Sequence, residues 1–205
     1  MSAWDFFDAI YCINLDHRED RWAKVQEQFK SVGIADRVER FSAIEPKKQS
    51  FPFYRIGEEG CLLSHWRVMK KASAAGHQNF LVFEDDIEFF NVDVEAALSA
   101  AIGDLPLAWQ LLYLGASEWK GKRYKFADSL NILDGAASSH SVCLNLTYFH
   151  YFNDLFRKAC HKGFAVDKIW ECIVQPRRKC FETSPMLTYH TEGYSDILNR
   201  TYKAY

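Results

Sequence analysis

The chain has 205 residues, 48% of them hydrophobic and 16% aromatic, which suits one well-filled domain over residues 1–205 and excludes a disordered chain. A formal net charge of −2 argues against a broad nucleic-acid face, which needs a basic excess. No apolar run approaches the length of a bilayer span, and Met1–Asp8 lacks the basic and apolar regions of a secretory signal.

No transmembrane segment is therefore expected, while peripheral contact with a membrane stays open. Six cysteines (Cys12, Cys61, Cys143, Cys160, Cys172, Cys180) stand at irregular spacings with no C-x-x-C pair. They read as buried free thiols in a reducing compartment rather than a disulfide framework or zinc site, so a cytoplasmic location is expected.

In chain order, Ile10–Leu15 reads as a first strand. Asp16 followed by Glu19 is a carboxylate version of a capping box. Trp22, Val25, Phe29 and Val32 then recur at helical spacing, and Gly33 can close the helix. Arg18 and Arg21 fall in the first turn, where basic residues oppose the macrodipole. They either bind an anion beside the helix N-terminus or pair with the neighbouring Glu19 and Asp20 on a solvated face.

Val38–Ile44 alternates as a second strand. Pro46 to Phe53 is a basic, proline-containing loop, either a lid or a connector. A helix opens at Gly57–Gly60 with Leu62, Trp66, Met69 and Ala72 on one side, and ends near Gly76. Ser64 and His65 lie in its early turns, and a lone helical histidine is either a packed core residue or a ligand.

The stretch Phe80–Ile87 is the most informative. Four apolar residues run into Glu84, Asp85 and Asp86. Carboxylates at the end of a buried strand are costly to desolvate without a cation or donors. Mg²⁺ or Mn²⁺ takes oxygen ligands and leaves places for phosphate oxygens. The tripeptide is either such a metal site or a solvated acidic turn. Asn91 or Asp93 then caps a helix through Ala101 that Gly103 closes.

Trp109–Gly115 is another buried-strand pattern. Residues 116 to 141 are irregular, with a cluster of Lys120, Lys122, Arg123 and Lys125. Val142–Leu146 reads as a short strand, Tyr148–Cys160 as an amphipathic helix, and Ala165–Trp170 as a short helix with Asp167 at its start. Met186–His190 and the acidic turn Glu192–Ile197 end the pattern.

Alternating strands and helices predict an α/β fold with a mostly parallel sheet. Its ligands would bind beyond the carboxyl ends of the strands, around Asn14–Arg21, Glu84–Asp86 and Gly115. No G-x-G-x-x-G, P-loop or G-x-S-x-G motif is present.

Several blocks together are more specific: Ile13–Asp16 through Arg18 and Arg21, Gly57–His65, Phe83–Asp86, Leu112–Gly115, Val166–Asp167 and Ser195–Ile197. Their order and spacing resemble glycosyltransferase family 25, the lipooligosaccharide-type galactosyltransferases and their collagen-modifying relatives, over roughly residues 9 to 198. The resemblance implies a GT-A-like, Rossmann-like nucleotide-sugar-binding domain, a divalent metal and inversion at the anomeric carbon. It implies a UDP-sugar donor, with galactose or glucose favoured, and a glycan, lipooligosaccharide or glycoprotein acceptor.

Carried over residue by residue, the resemblance implies Asp86 and Glu84 as metal ligands, with Asp85 facing the ribose or sugar. Asn14, Arg18 and Arg21 would hold the nucleotide or its diphosphate. Ser64 and His65, with Ser195 and Asp196, complete the donor-side set. His190 is a metal ligand by its position near the C-terminus, or a surface histidine. Asp167 is the expected base, or a helix cap, with Asp196 and Glu192 as fallbacks. Ser138–Cys143 departs from a tyrosine-rich family segment, which leaves the acceptor open. A metal-dependent phosphohydrolase and a non-catalytic carbohydrate-binding module are the rival readings.

Overall fold

The computed structural model describes residues 2–50, 55–116, 121–197 and 200–202. Residues 51–53 of the predicted basic loop and Lys120 of the basic cluster lie outside the described residues.

β1 (Ala9–Asn14), α1 (Glu19–Ser31) and β2 (Val38–Ser42) form the first unit. α2 (Ile56–Ala74) leads into β3 (Asn79–Glu84), β4 (Ile87–Phe89) and α3 (Val94–Asp104). β5 (Leu111–Tyr113), β6 (Lys122–Lys125), β7 (Leu130–Asp134) and β8 (Ser141–Asn145) follow. The rest is α4 (Phe149–Lys162), α5 (Val166–Ile169), β9 (Cys180–Thr183), β10 (Thr188–His190), β11 (Gly193–Ser195) and β12 (Arg200–Tyr202).

Eight strands make the central sheet in the order β2-β1-β3-β8-β5-β9-β7-β6. The α/β expectation holds, but the sheet is mixed rather than mostly parallel. β1 pairs parallel with β2 and β3, and β5 with β9. β8 runs antiparallel to both β3 and β5, and β7 antiparallel to β9 and β6. The β6–β7 hairpin falls in the stretch that reads as irregular from sequence, because charged residues and half-exposed positions break its alternation.

Strand side chains alternate between faces, and each face builds its own core. Tyr11, Phe80, Val82, Tyr113 and Val142 pack with Leu62 and Met69 of α2, Phe152 and Phe156 of α4, and Trp170. Ile10, Cys12, Leu81, Phe83 and Leu112 pack on the opposite face with Val25 and Phe29 of α1 and Leu98 of α3. Helices thus cover both faces and leave the strand ends open.

Several local expectations change. α1 begins at Glu19 with Arg18 as its N-cap and no side-chain cap. Asp16 accepts a hydrogen bond from Ser42 Oγ instead, tying the turn after β1 to the end of β2. Asp93 caps α3 by accepting from the Ala96 amide. Asp167 is not a cap: Ala165 holds that position, and Asp167 lies inside α5.

A candidate metal and nucleotide-sugar site at the strand ends

The site is built where β1 and β3 end side by side. Their register pairs Ile13 with Glu84, so Asn14 and Asp85 emerge as neighbours. Asn14 is buried, and its Nδ2 donates to Asp85 Oδ2 at 2.5 Å and to the Arg18 carbonyl at 3.2 Å. Arg40 Nε donates to Asn14 Oδ1 at 2.9 Å. Arg40 is a site residue that sequence reasoning missed. It stands on β2 opposite Cys12, and only the strand register brings it to Asn14.

Arg21 reaches over from α1. Its Nη1 lies 2.7 Å from Asp85 Oδ1 and 3.3 Å from Asp86 Oδ2, and its Nη2 donates to the Tyr194 carbonyl at 2.6 Å. Arg18 pairs with Asp20 through two nitrogens at 2.9 Å and with Asp196. Asp196 follows Ser195 of β11, which pairs with Arg200 of β12. Arg18, Arg21, Lys24, Asp85, Asp86 and Tyr194 line a cleft of about 390 Å³. That volume is within the range of small-molecule sites.

Asp85 and Glu84 behave differently. Burial and the adjacent Asp86 push the Asp85 carboxyl up, against Arg21 and Asn14. Burial also pushes Glu84 up, but there the His65 and His190 rings and the Ser139 hydroxyl win and hold it below the usual carboxylate range. His65 Nε2 lies 3.2 Å from Glu84 Oε1, and Ser139 Oγ donates to the same oxygen at 2.6 Å. Ser64, by contrast, is fully buried with its hydroxyl committed to backbone. It donates to the Gly60 carbonyl at 2.7 Å and accepts from the Ile44 amide at 2.8 Å.

Ser139 and His140 come from the segment leading into β8, the block Ser138–Cys143 that departs from the family pattern. Because β8 is antiparallel to β3, its amino end lies at the carboxyl end of β3, where Phe83 pairs with Ser141. The His140 carbonyl accepts from the Glu84 amide at 2.8 Å. Its buried ring is bonded through Nδ1 to Ser138 Oγ at 2.6 Å, and burial pushes it well below the usual histidine range. Just before this segment, the amide of buried Gln175 both accepts from the Ala136 N–H and donates to the Ala136 carbonyl.

His190 arrives on β10, which runs antiparallel to β4 and sets His190 opposite Ile87. Its Nδ1 is 3.4 Å from Asp86 Oδ1, and its ring stands edge-on to His140 at 4.2 Å between centroids. β10 passes so close to the end of β5 that a Cβ on Gly115 would sit 2.0 Å from the Thr188 carbonyl oxygen. Only glycine permits that approach.

Glu84, Asp86 and His190 therefore offer ligand atoms all within 4.8 Å of one another. Two carboxylate oxygens and an imidazole suit Mn²⁺ or a similar divalent ion, so the residues present fit the metal that the sequence blocks imply. Asp167, in α5, lies within electrostatic reach of Glu84. Burial raises the Asp167 carboxyl, and the Glu84 and Glu171 charges add to that against Lys168.

Helices on both faces of a mixed sheet, with a cleft at the strand ends where Arg18, Arg21 and Lys24 stand among carboxylates, define a GT-A-like glycosyltransferase architecture. A solved glycosyltransferase involved in the glycosylation of the major capsid of PBCV-1 shares this fold. It aligns with a TM-score of 0.57 at 11% identity, over 91% of this chain and 93% of that one. Residues 7–166 match the model of glycosyltransferase family 25 (LPS biosynthesis protein), and the chain belongs to that family.

A glycosyltransferase 25 family member of Anopheles gambiae is 30% identical over 156 residues, 64% of this chain and 25% of that protein. Procollagen galactosyltransferase 1-B of Xenopus laevis is 30% identical over 130 residues, 53% of this chain and 21% of that protein. An inactive glycosyltransferase 25 family member 3 of Homo sapiens is 31% identical over 133 residues, 55% of this chain and 22% of that protein. The matched region spans a fifth to a quarter of these relatives' length.

Proposed function

We propose that this chain is a metal-dependent inverting glycosyltransferase. It moves a hexose, galactose before glucose, from a UDP-sugar to a hydroxyl of a glycan, lipooligosaccharide or glycoprotein acceptor. The observation that carries the reading is the convergence of Glu84, Asp86 and His190 beside the Arg18–Arg21 cleft. The name of the Xenopus relative favours galactose, and the family description favours a lipopolysaccharide-type acceptor.

Glu84, Asp86 and His190 would hold the ion, which supplies Lewis-acid help to the departing nucleoside diphosphate. Arg18 and Arg21 stand where charge-assisted hydrogen bonds can reach the same phosphate oxygens. Both arginines are paired with carboxylates in the structure, so donor binding exchanges these pairs for phosphate contacts. Asp85 keeps Asn14 and Arg21 in place and gives the sugar side of the cleft its shape. Asp167 takes the proton of the attacking acceptor hydroxyl, and its raised carboxyl makes it a stronger base than a solvated aspartate.

Thermal-shift measurements with UDP-, GDP- and CMP-sugars, each with and without Mn²⁺, test the reading. A ligand that binds the folded state alone raises the melting temperature. A shift for a UDP-sugar that requires Mn²⁺ is expected. No shift with any nucleotide sugar, or release of phosphate from simple esters, overturns it.

A further inference from the structure

Glu84 belongs to two clusters. Besides its place with Asp86 and His190, it forms a second group with Cys61 and His65, whose ligand atoms also lie within 4.8 Å of one another. Cys61 and His65 are four residues apart on α2, so they share one helix face a turn apart. The separation of 3.2 Å between His65 Nε2 and Glu84 Oε1 suits two ligands on one small ion. The donor set, however, differs in kind. A thiol, an imidazole and a carboxylate match a borderline-soft ion such as Zn²⁺, whereas Mn²⁺ is served by oxygen-rich sets.

We propose that Cys61, His65 and Glu84 form a second metal site, selective for a thiophilic divalent ion such as Zn²⁺. Filling it withdraws Glu84 from the Asp86–His190 side. Three protein ligands leave one coordination position for water. As the metal bonds form, the thiol proton passes to solvent, and the proton that His65 Nε2 shares with Glu84 leaves that nitrogen as the ring switches to its Nδ1–H tautomer. His65 is buried, and its hydrogen bond to Glu84 pre-sets both groups for the ion. The two sites share Glu84, and two dications drawing on one carboxylate repel each other, so filling one weakens the other and makes the chain sensitive to zinc through a residue of its candidate manganese site.

Cobalt titration of the whole chain without any sugar nucleotide tests the site independently of the transferase reading. A thiolate-to-cobalt charge-transfer band in the near ultraviolet is expected, lost on adding Zn²⁺. Cys61→Ser and Cys61→Ala should both lack it, whereas Asp86→Ala should keep it. Absence of the band in the unmodified protein, or its survival in both Cys61 variants, overturns the proposal. Mn²⁺ binding followed by electron paramagnetic resonance tests the antagonism. Saturating Zn²⁺ should weaken Mn²⁺ binding at least about tenfold in the unmodified protein but not in Cys61→Ser. Equal Mn²⁺ affinity with and without zinc overturns the shared use of Glu84.

Discussion

The Ser139 hydroxyl donates to Glu84 Oε1 at 2.6 Å, on the oxygen that His65 also approaches. Glu84 is thus oriented from two elements, the lead-in to β8 and helix α2. Groups that orient a metal ligand are commonly worth about 10–100-fold in affinity. Ser139→Ala is expected to weaken Mn²⁺ binding on that scale while leaving the fold intact, as read by calorimetry and circular dichroism. Unchanged Mn²⁺ affinity would show that Glu84 needs no such support.

Asp86 faces both Arg21 and His190. Asp86→Ala should remove the Mn²⁺ dependence of UDP-sugar binding. It should also lower transfer by about 100-fold or more, the scale of the several kcal/mol that a Lewis acid supplies. Wild-type turnover with Mn²⁺ in this variant would remove Asp86 from the site.

Asp167 carries opposite consequences for activity and stability. Its folded-state pKa is raised, chiefly by burial. The folded chain therefore holds this proton more tightly than the unfolded chain. The stability associated with the proton is fully present in acid and is lost as pH rises through the raised value. Asp167→Asn, which stays neutral, should melt higher than the parent near neutral pH, and the difference should vanish in acid. The same variant should lose transfer yet bind donor normally. Lost donor binding would mark Asp167 as structural. Transfer by the parent protein should fall as pH drops through the raised Asp167 value.

Gly115 is tested through its neighbour. Adding a methyl group would drive a carbon to 2.0 Å from the Thr188 oxygen, so β10 must move. Gly115→Ala should cost about 1–3 kcal/mol in urea unfolding. It should also weaken Mn²⁺ binding, because β10 carries His190. Full stability with full Mn²⁺ affinity would mean that β10 shifts without disturbing the ligand.

The parts of the fold legible in the sequence are those whose pattern is local. β1, α1, α2, β3, α3 and α4 announce themselves by apolar period and by breakers such as Gly33, whose φ of +74° ends α1. Glu84 and Asp86 stand out because carboxylates follow a buried run. What stayed hidden is pairing direction. A parallel reading of β8 sends its carboxyl end to the crevice. The antiparallel pairing brings Ser138, Ser139 and His140 there instead, and no periodicity records which way a short buried strand runs. The same applies to Arg40, whose proximity to Asn14 is a matter of register. Capping residues misled in the opposite sense: Asp16 has the right spacing for a cap, yet Ser42 claims its carboxylate.

The mixed sheet also governs how the site comes into being. Its candidate ligands come from β3, the turn after it and β10, and the hydroxyl that orients Glu84 comes from the lead-in to β8, segments that meet only through long-range pairings. Such non-local contacts form slowly and late, after much loop-closure entropy has been spent. Metal affinity is therefore expected of the finished topology rather than of any fragment, and recovery of Mn²⁺ binding during refolding should time the closing of the sheet itself.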